Sequence, residues 1–260
     1  MPMDALNGGL KRRVKSFAER TLGVSISRVP PAQPNKHADS ALRYLRQWSS
    51  RDVVFDVGAN DGRTVLRLEG PLAHPRIYAF EPVSATYRTL VRRTAHLPHV
   101  RTFPLALGAK PGRETIYLNE IDAMNSFSPQ WTTAASGMET VEVSTVDEVM
   151  TGEGIEFVHF LKIDTEGYEL EVLKGAEQAL RSSRIAIVQL EVGVDQIAKQ
   201  FLTLEQARCH LAARGYLLHG VYNQCHAPAR PPEGWSPEES AAFRAEVLAY
   251  CDALFVRADL

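Results

Sequence analysis

Cysteine is scarce in this chain. The 260 residues contain three, Cys209, Cys225 and Cys251, and an odd number without Cys-x-x-Cys spacing argues against both a disulfide framework and a zinc site. Long apolar runs are absent too. Nothing approaches the roughly 18 consecutive apolar residues of a membrane span, and the N-terminus lacks a charged-then-apolar secretory pattern, so a cytoplasmic location is expected. There is no excess of either charge. A formal net charge of -2 provides no global basic field for nucleic acid or an anionic membrane. The chain also lacks internal repeats and low-complexity segments. What it has is an ordinary globular composition, 45% hydrophobic and 23% charged, enough for one sizeable core.

The apolar positions set out the organisation. Leu10, Val14, Phe17, Ala18 and Leu22 recur at helical spacing with Lys11, Arg12, Arg13 and Lys15 between them, which predicts an amphipathic helix over Gly8 to Leu22 with a basic, solvated face. Prolines 30, 31 and 34 mark a linker, and a second helix is expected from about Ala38 to Trp48. Residues 1–50 are thus read as a helical extension and 51–260 as the main domain. There, short apolar runs alternate with helical stretches: Val53 to Asp56, Ile77 to Phe80, Val100 to Leu105, Phe157 to Ile163 and Ile185 to Leu190. Such alternation implies crossover units and an α/β fold with a doubly wound, mostly parallel sheet covered on both faces. Glu114 to Leu118 and Thr140 to Ser144 read as short strands flanking a polar loop. Gly215 to Val221 and Ala253 to Arg257 are expected to supply an antiparallel closing strand, with a surface excursion marked by Pro228, Pro231, Pro232 and Pro237.

The strongest local signal is Val53-Val54-Phe55-Asp56-Val57-Gly58-Ala59-Asn60-Asp61-Gly62-Arg63-Thr64, an apolar strand ending in an acid and a glycine turn that enters a helix. In a doubly wound sheet, ligands bind beyond the carboxyl ends of the strands. A dinucleotide turn requires G-x-G-x-x-G to seat a pyrophosphate on the helix N-terminus, yet Asn60 and Arg63 stand where the second and third glycines belong. S-adenosylmethionine has no phosphate and carries an ammonium group, which suits an acid such as Asp56 beside a looser turn. Glu81 ends the next strand in Ala79-Phe80-Glu81-Pro82, where its two carboxylate oxygens can accept both ribose hydroxyls. The competing reading makes Asp56 a helix cap and Glu81 a surface acid; two acids at successive strand ends with a glycine turn between them argue against it.

A second strand, acidic turn and helix run from Phe160 to Ala176. Asp164 and Glu166 fall at a strand end facing the same cleft, and Glu191 ends the following strand. These three are the expected bases for removing a proton from an acceptor. Glu166 and Glu169, at a helix start, have a purely structural alternative. Lys162 points to the same side as Asp164, and a lysine in a central strand needs a carboxylate partner. The eight histidines lack metal-ligand spacing. The carboxylates leave open a Mg²⁺-type ion, but metal independence is expected, because strand-end acids separated by a crossover helix converge on one ion only in an exacting fold.

The same residues resemble the FkbM family of S-adenosylmethionine-dependent methyltransferases: Phe55 to Asn60, Ala79 to Pro82, Leu105-Ala106-Leu107-Gly108, Asn125-Ser126, Leu161-Lys162-Ile163-Asp164-Thr165-Glu166-Gly167 running to Leu173-Lys174-Gly175-Ala176, and Gln189-Leu190-Glu191. The likeness covers about Val53 to Arg257. It implies a class I, Rossmann-like methyltransferase acting on a hydroxyl of a sugar, glycolipid or polyketide-type small molecule. It also implies a cofactor site formed by Asp56, Gly58, Ala59, Asn60, Gly62, Thr64, Glu81 and Pro82, with Leu105 and Ala106 near the adenine and Asn125 and Ser126 near the methionine end or the acceptor. Phe127 interrupts the serine cluster usual in that loop. Segments outside the likeness, Met1 to Trp48 and His226 to Glu246, are where acceptor choice or homodimer contacts would be encoded. The residues leave open a methyltransferase acting on nitrogen or carboxylate, and a non-catalytic cofactor-binding subunit.

Overall fold

The computed structural model describes residues 38–119, 125–128, 135–194, 201–228 and 246–259. The helix expected at Gly8 to Leu22, the proline linker and most of the proline-marked excursion lie outside them. In chain order the elements are α1 (Ala38–Leu45), β1 (Val53–Val57), α2 (Arg63–Glu69), β2 (Arg76–Phe80), α3 (Ser84–Thr94), β3 (Val100–Phe103), β4 (Ala106–Leu107), β5 (Gly112–Asn119), β6 (Ala135–Ser144), α4 (Val146–Gly152), β7 (Val158–Ile163), α5 (Glu169–Gly175), α6 (Glu177–Arg181), β8 (Ile185–Gly193), α7 (Leu204–Ala212), β9 (Tyr216–Pro228) and β10 (Glu246–Arg257).

Seven strands form one sheet in the order β3-β2-β1-β7-β8-β10-β9. All neighbours are parallel except at β10, which runs antiparallel to both β8 and β9. The period-2 alternation of the strands sorts side chains onto two faces. Val53, Phe55 and Val57 point into a core shared with Val149, Val172, Leu180 and Leu211 from the α4 to α7 side. Val54 points the other way, against Leu42, Leu68 and Leu90 from α1 to α3. The described end of the N-terminal segment therefore packs onto the sheet. From β1 the chain winds outward to β2 and β3, then returns to place β7 on the opposite side of β1, which makes the carboxyl ends of β1 and β7 the topological switch point. A three-stranded sheet, β4-β6-β5, lies between β3 and β7 in sequence.

Several boundaries differ from the sequence reading. The helix expected to reach Trp48 ends at Leu45, and the Trp48 indole donates back to the Leu42 carbonyl at 2.8 Å, satisfying one of the orphan acceptors of the last turn. The strand expected over Val100 to Leu105 stops at Phe103 because Pro104 has no N–H for a ladder; Ala106 and Leu107 belong to the second sheet. The helix after the acidic turn ends at Gly175, and a separate α6 starts at Glu177. Gly175 there abuts the Gly108 carbonyl so closely that a Cβ would lie 2.0 Å from that oxygen. The closing strands β9 and β10 run on to Pro228 and back from Glu246, well beyond the expected segments. Among the described residues, no helix is long and apolar enough to cross a membrane.

Candidate active site

The turn after β1 is shaped by two close approaches. The Phe80 carbonyl accepts the N–H groups of both Gly58, at 3.1 Å, and Ala59, at 2.9 Å. Gly58 has φ 77° and sits so near the end of β7 that a Cβ would lie 1.8 Å from the Asp164 carbonyl oxygen, so only glycine fits. Asn60 follows with φ 47°, a left-handed conformation asparagine tolerates. Its N–H donates to Glu81 Oε2 at 3.0 Å, while the Val83 N–H donates to Glu81 Oε1 at 2.9 Å. Glu81 is buried, and its carboxylate ties the β1 turn to the β2 turn.

Below these turns, beyond the carboxyl ends of β1 and β2, opens a cleft, the place where ligands bind in a doubly wound sheet. Of the residues expected to hold a cofactor, Gly58, Asn60, Glu81, Pro82, Ala106 and Asn125 line it, together with Asp164 and Glu166. Ala59 and Thr64 face a second, more open depression on the other side of the turn, beside Arg67 and Lys162. Gly62 caps α2 at φ 85°, and a Cβ there would lie 2.9 Å from the Leu90 side chain, which gives it a packing role between α2 and α3. Leu105 packs against the core, and Leu107 takes the position on the wall. Ser126 is buried; its hydroxyl donates to the Glu166 carbonyl at 2.8 Å and accepts the Ser128 N–H at 3.2 Å, anchoring the mid-domain loop.

Sequence reasoning missed Val83, Ile116, Phe127 and Thr165 on the wall. Phe127, the interruption in the serine run, faces the cleft with its ring 4.3 Å from that of Tyr168. The signal was an aromatic where the pattern called for a small polar residue.

Asp56 is displaced from its expected place. It is fully buried and forms no part of the cleft wall, because register pairs it with Lys162 on the adjacent strand. The Lys162 ammonium stands 3.3 Å from Asp56 Oδ1 and 3.0 Å from Asp164 Oδ2. Burial pushes the Asp56 carboxyl up against the pull of Lys162, and neither Asp56 oxygen has a directed hydrogen bond among the described residues. Burial opposes the charge of Lys162 as well, but the carboxylates of Asp164 and Asp56 outweigh it and hold the ammonium above the usual lysine range. The lysine thus has the carboxylate partners its burial demands.

The expected bases do come together. One carboxylate oxygen each from Asp164, Glu166 and Glu191 lies within 4.8 Å of the others. Burial, with Asp164 and then Glu169 adding repulsion, pushes Glu166 up to about 8. Burial and the charges of Asp164 and Glu166 push Glu191 up to about 9, and Asp252, opposite Glu191 on β10, rises to about 6 chiefly through burial. The expectation of metal independence rested on such convergence being demanding; the fold supplies it, so that reason falls. Glu169 takes the structural part. It is buried, with Oε1 accepting from the Thr165 and Gly167 N–H groups and the Thr165 hydroxyl, which organises the start of α5.

A doubly wound sheet with this strand order, a glycine turn at its switch point and an acid ending β2 over a cleft define a class I, Rossmann-like methyltransferase. Residues 56–218 match the Methyltransferase FkbM domain. The chain is 26% identical over 192 residues to the hexuronic acid methyltransferase AglP of Haloferax volcanii, covering 74% of this chain and 78% of that protein. It is 22% identical over 194 residues to the 2-O-methyltransferase NoeI of Sinorhizobium fredii, covering 67% and 74% respectively. A solved S-adenosylmethionine-dependent methyltransferase from Aquifex aeolicus superposes with a TM-score of 0.46 at 12% identity, over 87% of this chain and 93% of that one. The chain belongs to the FkbM family of S-adenosylmethionine-dependent methyltransferases.

Proposed function

We propose that the protein transfers a methyl group from S-adenosylmethionine to a hydroxyl oxygen of a sugar, glycolipid or polyketide-type small molecule. The observation that carries this reading is the convergence of Asp164, Glu166 and Glu191 beside the cleft. The cofactor, when bound, supplies an electrophilic methyl carbon on a sulfonium. Glu81 accepts the ribose hydroxyls, since an ionised carboxylate has about four acceptor positions and both its oxygens are held in place by backbone N–H groups. Pro82 and Ala106 would hold the adenine, with Leu105 packing behind them against the core. Gly58, Ala59, Asn60, Gly62 and Thr64 shape the turn, and Asn125 and Ser126 would face the methionine end or the acceptor. Asp56 acts at one remove, by holding Lys162 against Asp164.

On the acceptor side, the chain's own groups orient the hydroxyl and take its proton. A base with a pKa near the working pH is the most effective general base, and Glu166 at about 8 and Glu191 at about 9 fall in that range. They act as a coupled pair beside Asp164, the proton passing to a carboxylate oxygen. One relative's name specifies hexuronic acid and the other's a 2-O position, which supports oxygen of a sugar-like acceptor. Three free cysteines, Cys209, Cys225 and Cys251, suit a reducing, cytoplasmic setting.

The test is to incubate purified protein and methyl-labelled cofactor with a panel of sugars, glycolipids and macrolide-like alcohols, and to map the label. Label on a hydroxyl oxygen is expected. Label confined to nitrogen or carboxylate, or intact cofactor binding with no transfer to any member of the panel, would overturn the assignment.

A further inference from the structure

We propose that Glu69, His74 and His99 form a binding site for a divalent transition-metal ion of the zinc type, at the end of the sheet opposite the cleft. The fold assembles them from three places. Glu69 is the last residue of α2, His74 sits in the loop leading to β2, and His99 immediately precedes β3. The His99 carbonyl accepts the Ile77 N–H at 3.0 Å, so its position is tied to β2. The His74 amide donates to the Glu69 carbonyl at 2.8 Å, and the left-handed pair Ala73 and His74, φ 59° and 54°, turns the His74 ring back over the end of α2.

Their side chains converge on one point. Glu69 Oε1 is 2.7 Å from His74 Nδ1 and 3.9 Å from His99 Nε2, and one ligand atom from each residue lies within 4.8 Å of the others. Ligand atoms about 2 Å from a tetrahedral zinc stand roughly 3.3 Å apart, so these separations bracket what a shared ion requires. A plain Glu69–His74 hydrogen bond accounts for only part of this. His99 Nε2 is buried with no hydrogen-bond partner among the described residues, although it faces the same carboxylate, and an ion completes its coordination. Two imidazoles with one carboxylate are a donor set for zinc, cobalt or nickel rather than magnesium or calcium. With His74 largely exposed, the remaining positions are open to water. Such an ion clips the end of α2 to the starts of β2 and β3. The sequence carried no sign of it, because the ligands have no motif spacing.

Tag-free protein stripped with chelator and titrated with zinc chloride by calorimetry is expected to bind one equivalent that excess magnesium chloride does not displace. At free zinc one hundredfold above the dissociation constant, the Tm should rise by about 5 °C. His74→Ala and His99→Ala should each weaken binding at least tenfold and remove the Tm rise, with affinity for S-adenosylhomocysteine unchanged. His74 lies in a surface loop, so His74→Ala keeps the test informative should His99→Ala fold poorly. Cobalt(II) should give a visible absorption band in the wild type that His74→Ala loses. Absence of saturable zinc binding in the wild type, or binding and cobalt absorption unaltered in His74→Ala, would overturn the proposal.

Discussion

Replacing Lys162 by methionine tests the buried charge arrangement most directly. The substitution keeps most of the side-chain volume and removes the ammonium that stands between Asp56 and Asp164. Asp164 is 41% exposed at its side chain, so water compensates it and its share of the loss is small. Asp56 is 0% exposed and is left as a buried carboxylate without its cation. Breaking a buried pair this way costs about 3–5 kcal/mol, and protonation of Asp56 limits the cost at its lower end. The expected Tm loss at pH 8 is about 6–12 °C. The sign with pH follows from Asp56. Its folded pKa already stands above 3.8 and rises further without Lys162. A raised carboxylate pKa means that the folded state binds more protons than the unfolded one above that value. Stability therefore falls as pH rises from about 4 toward the folded pKa, and the gap between wild type and Lys162→Met should narrow on acidification. Denaturant unfolding of Asp56→Asn, Lys162→Met and the double variant should give a coupling of about 2 kcal/mol. Additive single effects, or a Lys162→Met loss below about 1 kcal/mol at pH 8, would refute the reasoning.

Glu81→Gln should weaken S-adenosylhomocysteine binding by about 2 kcal/mol, roughly thirtyfold, through loss of charge-assisted hydrogen bonds to the ribose; unchanged affinity by calorimetry in a folded variant would remove Glu81 from that role. Turnover should climb with pH through an apparent pKa between about 8 and 9, and Glu166→Gln or Glu191→Gln should each cut kcat by about 10²-fold or more with little change in cofactor affinity. A flat profile from pH 6 to 10 would exclude both as the base. Glu191→Gln should raise Tm at pH 9 more than at pH 5, because a folded pKa near 9 against 4.5 destabilises the fold progressively across that interval. Activity should survive exhaustive chelation, since Glu166 and Glu191 can relieve their repulsion by holding a proton; chelator-sensitive turnover restored by Mg²⁺ would instead make these carboxylates ligands.

What could be read from the sequence was what depends on neighbours along the chain. The turns at Asp56 to Thr64 and Asp164 to Gly167 were legible because strand, acid and glycine follow one another directly. Lys162 announced its partners because a lone buried ammonium is too costly to occur. What depended on register across strands was hidden. Asp56 lies under Lys162 rather than on the cleft wall because β1 pairs with a strand roughly a hundred residues away, Asp56 opposite Lys162. Leu107 replaced Leu105 on the wall because Pro104 ends one strand and the chain starts another in a different sheet. The meeting of Glu69, His74 and His99 required β2 and β3 to lie side by side, which no local pattern contains.

The sign of charge in the site limits how it can accelerate methyl transfer. Asp164, Glu166, Glu191, Glu169 and Asp252 act on one another electrostatically, and Lys162 is held between two carboxylates. Where these carboxylates are ionised, their negative field attracts a sulfonium cofactor. That attraction is strongest before the methyl moves, because the cationic charge disperses during transfer, and an interaction stronger in the ground state than in the transition state does not raise kcat. On the proposed reading, the cluster contributes to rate from the acceptor side, where a hydroxyl would become more acidic as its oxygen bonds to carbon. Groups pushed up to about 8 and about 9 are stronger proton acceptors than ordinary carboxylates. The crowding that costs the fold stability at high pH is thus the same feature that would fit Glu166 and Glu191 to the proposed role of taking that proton.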